Sequence, residues 1–222
     1  MAFSLDMLSK KESLLPFRKQ FGPGEVIFHQ GQVGNTLFIL LKGRVHLLLD
    51  SNTGEHVFSV ASAGDILGEK AILQEKGHQR LFSAQAVEPV IAFEISAWDL
   101  GQLQRTEPDL ILDILKRSFE VSAKRLEQAN YLARVLRGTD SRRRFCECIV
   151  YAAHTAGSPT TNGIKIPKLK EALSYFLDLD PLKRDLFLNE LIDSGALEVH
   201  DQTYVLVNQQ KLMAGCIPKE GR

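Results

Sequence analysis

Phe21-Gly22-Pro23-Gly24-Glu25-Val26-Ile27-Phe28, followed by Leu37-Phe38-Ile39-Leu40-Leu41-Lys42-Gly43-Arg44-Val45, decides how the first half of the chain folds. Each stretch joins a short β-rich run to a glycine turn. Glycines recur at 22, 24, 31, 34, 43, 54, 64, 68 and 77. Between and after them lie apolar runs at 26–28, 36–41, 45–49, 57–60 and 90–95. β-Branched and aromatic side chains suit a pleated, half-buried surface. Short strands punctuated by turn residues at regular spacing predict a sandwich or barrel. Asp50-Ser51-Asn52-Thr53-Gly54 reads as a hairpin tip between two of them.

The pattern changes at Pro108. From Asp109 to Arg137 there is no glycine and no proline. Leu112, Leu115, Phe119, Ser122, Leu126, Ala129, Ala133 and Leu136 recur in alternating steps of three and four. That is the 3.5-residue period of a coiled-coil seam. Pro108 suits a first helical turn and Gly138 a helix end. At about 1.5 Å per residue the helix spans roughly 43 Å. A narrow apolar stripe on so long a rod predicts a symmetric dimer seam. The alternative is an amphipathic helix lying on its own sheet.

Thr139-Asp140-Ser141 then caps a new helix running to about Thr155. Residues 157–163 read as a loop. Helical patterns follow at 168–177 and 181–194, the second stopped by Gly195. Residues 197–199 and 204–207 read as a small hairpin. Helix, helix, helix, hairpin is the outline of a winged helix. The predicted class is therefore α+β: an N-terminal antiparallel β-roll (1–107), a long dimerisation helix (108–138) and a small winged-helix domain (139–222).

The 222 residues hold 27 basic and 27 acidic side chains, a formal charge of zero. That excludes a globally basic nucleic-acid coat and an acidic disordered tail. Over residues 1–107, 108–140 and 141–222 the charge is −2, +1 and +1, so the winged helix is barely basic. Cys146, Cys148 and Cys216 contain no Cys-x-x-Cys pair, which gives zinc and iron–sulfur sites little support. An odd number of cysteines fits free thiols in a reducing cytosol. The N-terminus lacks the apolar core of a secretory signal. No run of about 18 apolar residues predicts a membrane span. A cytoplasmic protein is expected.

The glycine pattern continues into Ala63-Gly64-Asp65-Ile66-Leu67-Gly68-Glu69-Lys70-Ala71-Ile72-Leu73, with Arg80 beyond it. With these stretches the chain resembles the cyclic-nucleotide-binding domain. With the long helix and the winged-helix outline it resembles the Crp/Fnr superfamily of bacterial regulators, over residues 17–207. The chemistry of the element is direct. A cyclic phosphodiester carries one negative charge, and a guanidinium fork matches two of its oxygens. Arg80 would be that cation. Gly68 would let backbone N–H groups approach the same anion. Glu69 would accept from the ribose 2′-hydroxyl. The resemblance implies these roles for Gly68, Glu69 and Arg80, with Lys70 and Ala71 lining the turn. The bland alternative is a plain Glu69–Arg80 ion pair.

The chain departs from the family pattern after Arg80. Leu81 and Phe82 replace small residues, and either face the core or crowd the pocket. Ser83 resembles the family's hydroxyl, and the segment 74–79 is one residue longer than in close relatives. On the long helix the resemblance places Gln128, Ala129 and Asn130 near the purine. Asn130 offers a donor and an acceptor for an adenine edge, or is an ordinary exposed helix residue. The ligand implied is cyclic AMP, with cyclic GMP second. No other cofactor and no metal are expected.

DNA reading calls for Arg, Lys, Asn or Gln near the start of the second winged-helix helix. Here that helix begins Pro181-Leu182-Lys183-Arg184-Asp185-Leu186, without the family's Arg-Glu-x-x-x-Arg. Asp178, Asp180 and Asp185 would repel phosphates. Lys183, Arg184, Lys168 and Lys170 are the candidate DNA contacts. Arg142, Arg143 and Arg144 read as a solvated face rather than a phosphate clamp. Two readings result: a transcription regulator with unusual base contacts, or a degenerate winged helix that meets a protein through Leu182 and Leu186. The six histidines form no His-x-His pair, and no catalytic triad or carboxylate dyad stands out. An enzyme is not expected.

Overall fold

The structure is a computed structural model of the 222-residue chain and describes residues 5–51, 54–72, 78–138, 140–177, 179–201 and 203–216. Expectations that fall on Asn52, Thr53, residues 73–77, Thr139 and Asp178 lie outside the described residues, as does the side chain of Ala71. The fold is α+β. The chain forms two compact units, Met1–Leu49 with Val60–Leu126, and Asp50–Ser59 with Glu127–Arg222. No helix among the described residues is long and apolar enough to cross a membrane.

A short helix α1 (Leu5–Ser9) and a 3-10 turn (Glu12–Phe17) lead into the strands. These are β1 (Arg18–Phe21), β2 (Val26–Phe28), β3 (Val33–Gly34), β4 (Thr36–Lys42), β5 (Val45–Ser51), β6 (Gly54–Ala61), β7 (Ile66–Leu67), β8 (His78–Gln79), β9 (Ser83–Ala86) and β10 (Val90–Ser96). They build two four-stranded sheets, ordered β1-β10-β4-β7 and β2-β9-β5-β6, and a two-stranded ribbon β3-β8. The pairing across β1, β10, β4 and β7, across β2, β9 and β5, and across β3 and β8 is antiparallel.

Alternation fixes which side chains face inward. Leu37 stands opposite Ile95 and Ile39 opposite Phe93, and none of the four is exposed. Burying each such side chain contributes about 1.5–3 kcal/mol. The same core takes Leu100 and Leu103 from α2 (Ala97–Thr106) and Leu110 and Ile114 from α3 (Pro108–Leu136). Helix α2, which the strand-based reading of this half passes over, starts on a capping box. Ser96 Oγ accepts from the Asp99 N–H while the Asp99 carboxylate accepts from the Ser96 N–H.

The long helix carries two stripes. Leu110, Ile114, Ser118 and Val121 are buried. The seam residues Leu112, Leu115, Phe119 and Leu126 stay exposed, Phe119 at 77%. One stripe of α3 thus lies on the chain's own core, while Leu112, Leu115, Phe119 and Leu126 of the 3.5-period stripe are exposed on another face and Leu136, at its end, packs on the second core.

The second unit contains α4 (Ser141–Ala156), β11 (Ser158–Thr160), β12 (Gly163–Ile166), α5 (Leu169–Phe176), α6 (Pro181–Asp193), β13 (Leu197–His200), β14 (Thr203–Leu206) and α7 (Gln209–Gly215). Asp140 caps α4 by accepting from the Arg142 and Arg143 N–H groups. The sheet order is β11-β12-β14-β13. This is the winged-helix outline with one correction: the stretch expected as a loop at 157–163 forms a β-hairpin with the residues after it. Ile164 and Ile166 pair with Leu206 and Tyr204 of β14, and that cross-strand partner is invisible locally.

The expectation of free thiols is corrected as well. Cys146 and Cys216 are joined by a disulfide, with Cα atoms 6.1 Å apart across 70 residues of sequence. Counting cysteines cannot foresee a pair that the packing of α4 on α7 brings together. Cys148 is free and fully buried, and that burial pushes its thiol up to about 12.

Candidate functional site

Arg80 is the centre of the site, and the backbone holds it in place. Its N–H donates to Gln32 O and its carbonyl accepts from the Gly31 N–H, both at 2.8 Å. The side chain then turns inward until only 9% of the residue is exposed. Two glycines make room for it. A Cβ at Gly34 would come within 2.7–3.0 Å of the guanidinium, and one at Gly68 would overlap Arg80 Nη1 and the Thr36 carbonyl. Gly68 also holds φ +74°, in the left-handed region that disfavours other residues. The residues after it, Glu69–Ile72, close into a 3-10 turn.

Arg80 Nη2 donates to both the carbonyl and the hydroxyl oxygen of Thr36, each at 2.9 Å. The guanidinium lies 4.5 Å from the ring centre of Phe28 and 5.8 Å from that of Phe38. Its Nε is buried with no hydrogen-bond partner. No carboxylate among the described residues lies within ion-pair distance of it. Burial lowers its affinity for the proton, while Glu69 and Glu94 pull the other way. A buried cation with an orphan donor costs free energy unless something anionic meets it; the orphan donor alone costs about 1–3 kcal/mol.

What lies in front of Arg80 is a cleft of about 390 Å³, counted with its open mouth. Gly68, Glu69, Lys70, Arg80 and Leu81, five of the expected ligand residues, are brought together in its lining. Phe28, Gly34, His78, Gln79 and Phe82 complete the wall. Leu81 is 62% exposed, so it belongs to the rim rather than the core. Phe82 packs on Phe28, ring centres 5.9 Å apart. Ser83 is not in the lining: it is buried and accepts the Gln30 N–H at 2.9 Å. It opens β9, beside Ala84, which is buried as well. On α3, Gln128 is half-buried and Asn130 exposed, and neither belongs to the cleft lining.

The plain Glu69–Arg80 ion pair is not what forms. Glu69 instead pairs with Arg125 of α3, Oε1 to Nη1 at 3.1 Å. Arg125 Nη2 also donates to the Ile66 carbonyl at 3.2 Å, and its guanidinium stands 5.9 Å from the Phe82 ring. Sequence reasoning missed Arg125, since nothing in a helical register marks which exposed arginine meets a turn 56 residues earlier. Its spacing of four from Val121 on the buried stripe was the available signal.

The basic residues of the second unit are mostly committed. Arg184 donates to Ser174 Oγ at 2.7 Å and to Asp185. Lys170 pairs with Asp185 and Lys168 with Glu55. The Arg184 hydrogen bond first, and then Lys170, hold the Asp185 carboxyl below its usual range. Lys183 is exposed, beside Leu182 at 81% and Leu186 at 56%. The triplet is not a uniform solvated face. Arg142 binds Glu190 and the Gly215 carbonyl, Arg143 pairs with Glu147, and Arg144 Nε is buried.

Residues 18–107 match the family described as the cyclic nucleotide-binding domain. The cAMP-activated global transcriptional regulator CRP of Salmonella typhimurium is 25% identical over 182 residues, covering 81% of this chain and 84% of its own. The cyclic AMP receptor protein of Thermus thermophilus is 30% identical over 132 residues, 50% of this chain and 58% of its own. Among solved structures, the c-di-GMP responsive global regulator CLP of Xanthomonas campestris shares the fold over 89% of this chain and 97% of its own, with a TM-score of 0.69 at 22% identity. A CRP-family transcriptional regulator from Thermus thermophilus does so over 89% and 96%, with a TM-score of 0.63 at 18% identity.

Proposed function

We propose that this chain, a Crp/Fnr-type regulator with a cyclic nucleotide-binding domain at residues 18–107, takes a cyclic nucleotide in the Arg80 cleft and acts as a homodimer to control transcription from the cytoplasm. One observation carries the ligand reading: a guanidinium nine-tenths buried, without a carboxylate partner among the described residues and with an orphan Nε, at the floor of an open cleft. A cyclic phosphodiester supplies the missing anion as a single fixed charge. Glu69 stands at the same cleft as an acceptor for the ribose 2′-hydroxyl. Lys70, Ala71 and Leu81 are the further residues assigned to the ligand, and Gln128 and Asn130, outside the cleft lining, are the α3 residues assigned to the base. Cyclic AMP is the first candidate and cyclic GMP the second.

A ribose 2′-hydroxyl that donates to Glu69 competes with Arg125 for the same carboxylate, so binding bears on α3 directly. The ligand then shifts the paired helices only by its differential affinity for their two arrangements. DNA contact falls to α6 with Lys183 and Arg184, and to Lys168 and Lys170, whose present partners must yield to phosphates.

Calorimetric titration with cyclic AMP and cyclic GMP tests the ligand reading, comparing the wild type with Arg80→Gln. The expected result is heat in the wild type and at least tenfold weaker binding in the variant, with the melting temperature checked to show both are folded. Undetectable heat in the folded wild type for both nucleotides would overturn it. Salt-sensitive retardation of genomic DNA fragments is the matching test for transcription.

A further inference from the structure

The function above leaves unused the Cys146–Cys216 bond, which ties the first half of α4 to the residue that ends α7. It closes a loop 70 residues apart in sequence that encloses most of the second unit. The surroundings concentrate other ties on the same spot. One turn before Cys146 on α4, Arg142 donates from Nε to the Gly215 carbonyl at 2.8 Å and pairs with Glu190 of α6. Gly215 packs so closely on Leu191 of α6 that a Cβ there would sit 3.1 Å from it. The end of α7 therefore keys the position of α6, the helix that displays Leu182, Lys183 and Leu186. The dithiol state is provided for as well: Cys216 Sγ lies 3.1 Å from the Leu212 carbonyl, so its S–H finds an acceptor once the bond opens.

We propose that Cys146 and Cys216 form a reversible thiol–disulfide pair that sets how firmly α7 is clamped to α4 and α6. The reductant is a small thiol such as glutathione. When the end of α7 opens, the reductant's thiolate attacks the sulfur of Cys216, the less buried of the two at 5% exposure against 1%, and the Cys146 sulfur leaves as a thiolate and takes a proton. A second thiolate attacks the mixed disulfide on the small-molecule sulfur. It displaces Cys216 as a thiolate, which takes the second proton and donates to Leu212 O. Two electrons and two protons pass to the pair, and two small thiols leave as one disulfide. Oxidation runs the same steps backwards against oxidised glutathione. Cys148 takes no part, since burial holds its thiol protonated. In reducing compartments disulfides are typically transient or redox-sensing rather than static staples.

The test uses the full chain, equilibrated in buffers of varied reduced-to-oxidised glutathione ratio, quenched in acid and labelled with a mass-shifting maleimide after denaturation. The expected result is a reversible two-thiol transition that is absent in Cys216→Ser and unchanged in Cys148→Ala. Amide hydrogen exchange in α7 is expected to speed up at least tenfold on reduction, and Cys216→Ser to match the reduced wild type. A pair that stays dithiol in excess oxidised glutathione, or that can be reduced only after unfolding, would overturn the proposal. So would equal α7 exchange in the two states.

Discussion

Arg80, Gly68 and Glu69 show how few residues define the candidate site. The guanidinium fits because positions 34 and 68 lack side chains, and Gly68 also holds a left-handed backbone. Gly68→Ala is expected to lose about 1–3 kcal/mol of folding stability to backbone strain, before any cost of displacing Arg80. Urea denaturation measures this, and a midpoint equal to wild type would refute it. The same residues were legible in the sequence because their spacing is local and their chemistry specific. Arg125 was not legible, and neither was the burial of Ser83. A helix residue's partner across 56 positions, and the facing of a strand, are set by packing.

Helix α3 is the element on which the regulator reading turns. Its heptad stripe was plain in sequence, and so was its length. The second stripe, Leu110, Ile114 and Val121, which lies on the β-roll, emerged only when the strands it covers were in place. Leu112, Leu115, Phe119 and Leu126 are left exposed, and the proposed dimer seam rests on them. Phe119→Asp is expected to convert a dimer to a monomer in sedimentation velocity, while thermal unfolding of the single chain changes little. A variant that still sediments as a dimer would move the seam elsewhere. Helix α6 has a different character. Its exposed face is Leu182, Lys183, Leu186 and Asn189, while Arg184 turns inward to Ser174. The helix was foreseen from its proline start and glycine stop, and the loss of Arg184 to an internal bond was not.

At the scale of the molecule, stability depends on pH through His56, which is completely buried on β6. Burial and the neighbouring Lys168 lower its pKa, against opposing pulls from Asp50 and Glu55. The unfolded chain takes up this proton near pH 6.5, and the folded chain only at lower pH. The unfolded state therefore binds more protons in that window, and stability falls as pH drops below about 6.5. Urea midpoints between about pH 7.5 and 5 are expected to fall more steeply in wild type than in His56→Gln; equal slopes would refute the assignment. Most of the order of the elements was written in the chain by itself, as glycine-spaced strands, one long heptad helix, then three helices and a hairpin, while α2, the β11–β12 hairpin and α7 were not. Backbone propensity and side-chain period act over a few residues, so they survive in a one-dimensional reading. Which cation is buried with no carboxylate among the described residues to pair with, which carboxylate is already engaged and which two cysteines meet were decided only in the tertiary structure. Those outcomes depend on desolvation and on contacts between residues tens of positions apart, which exist only once the core has closed.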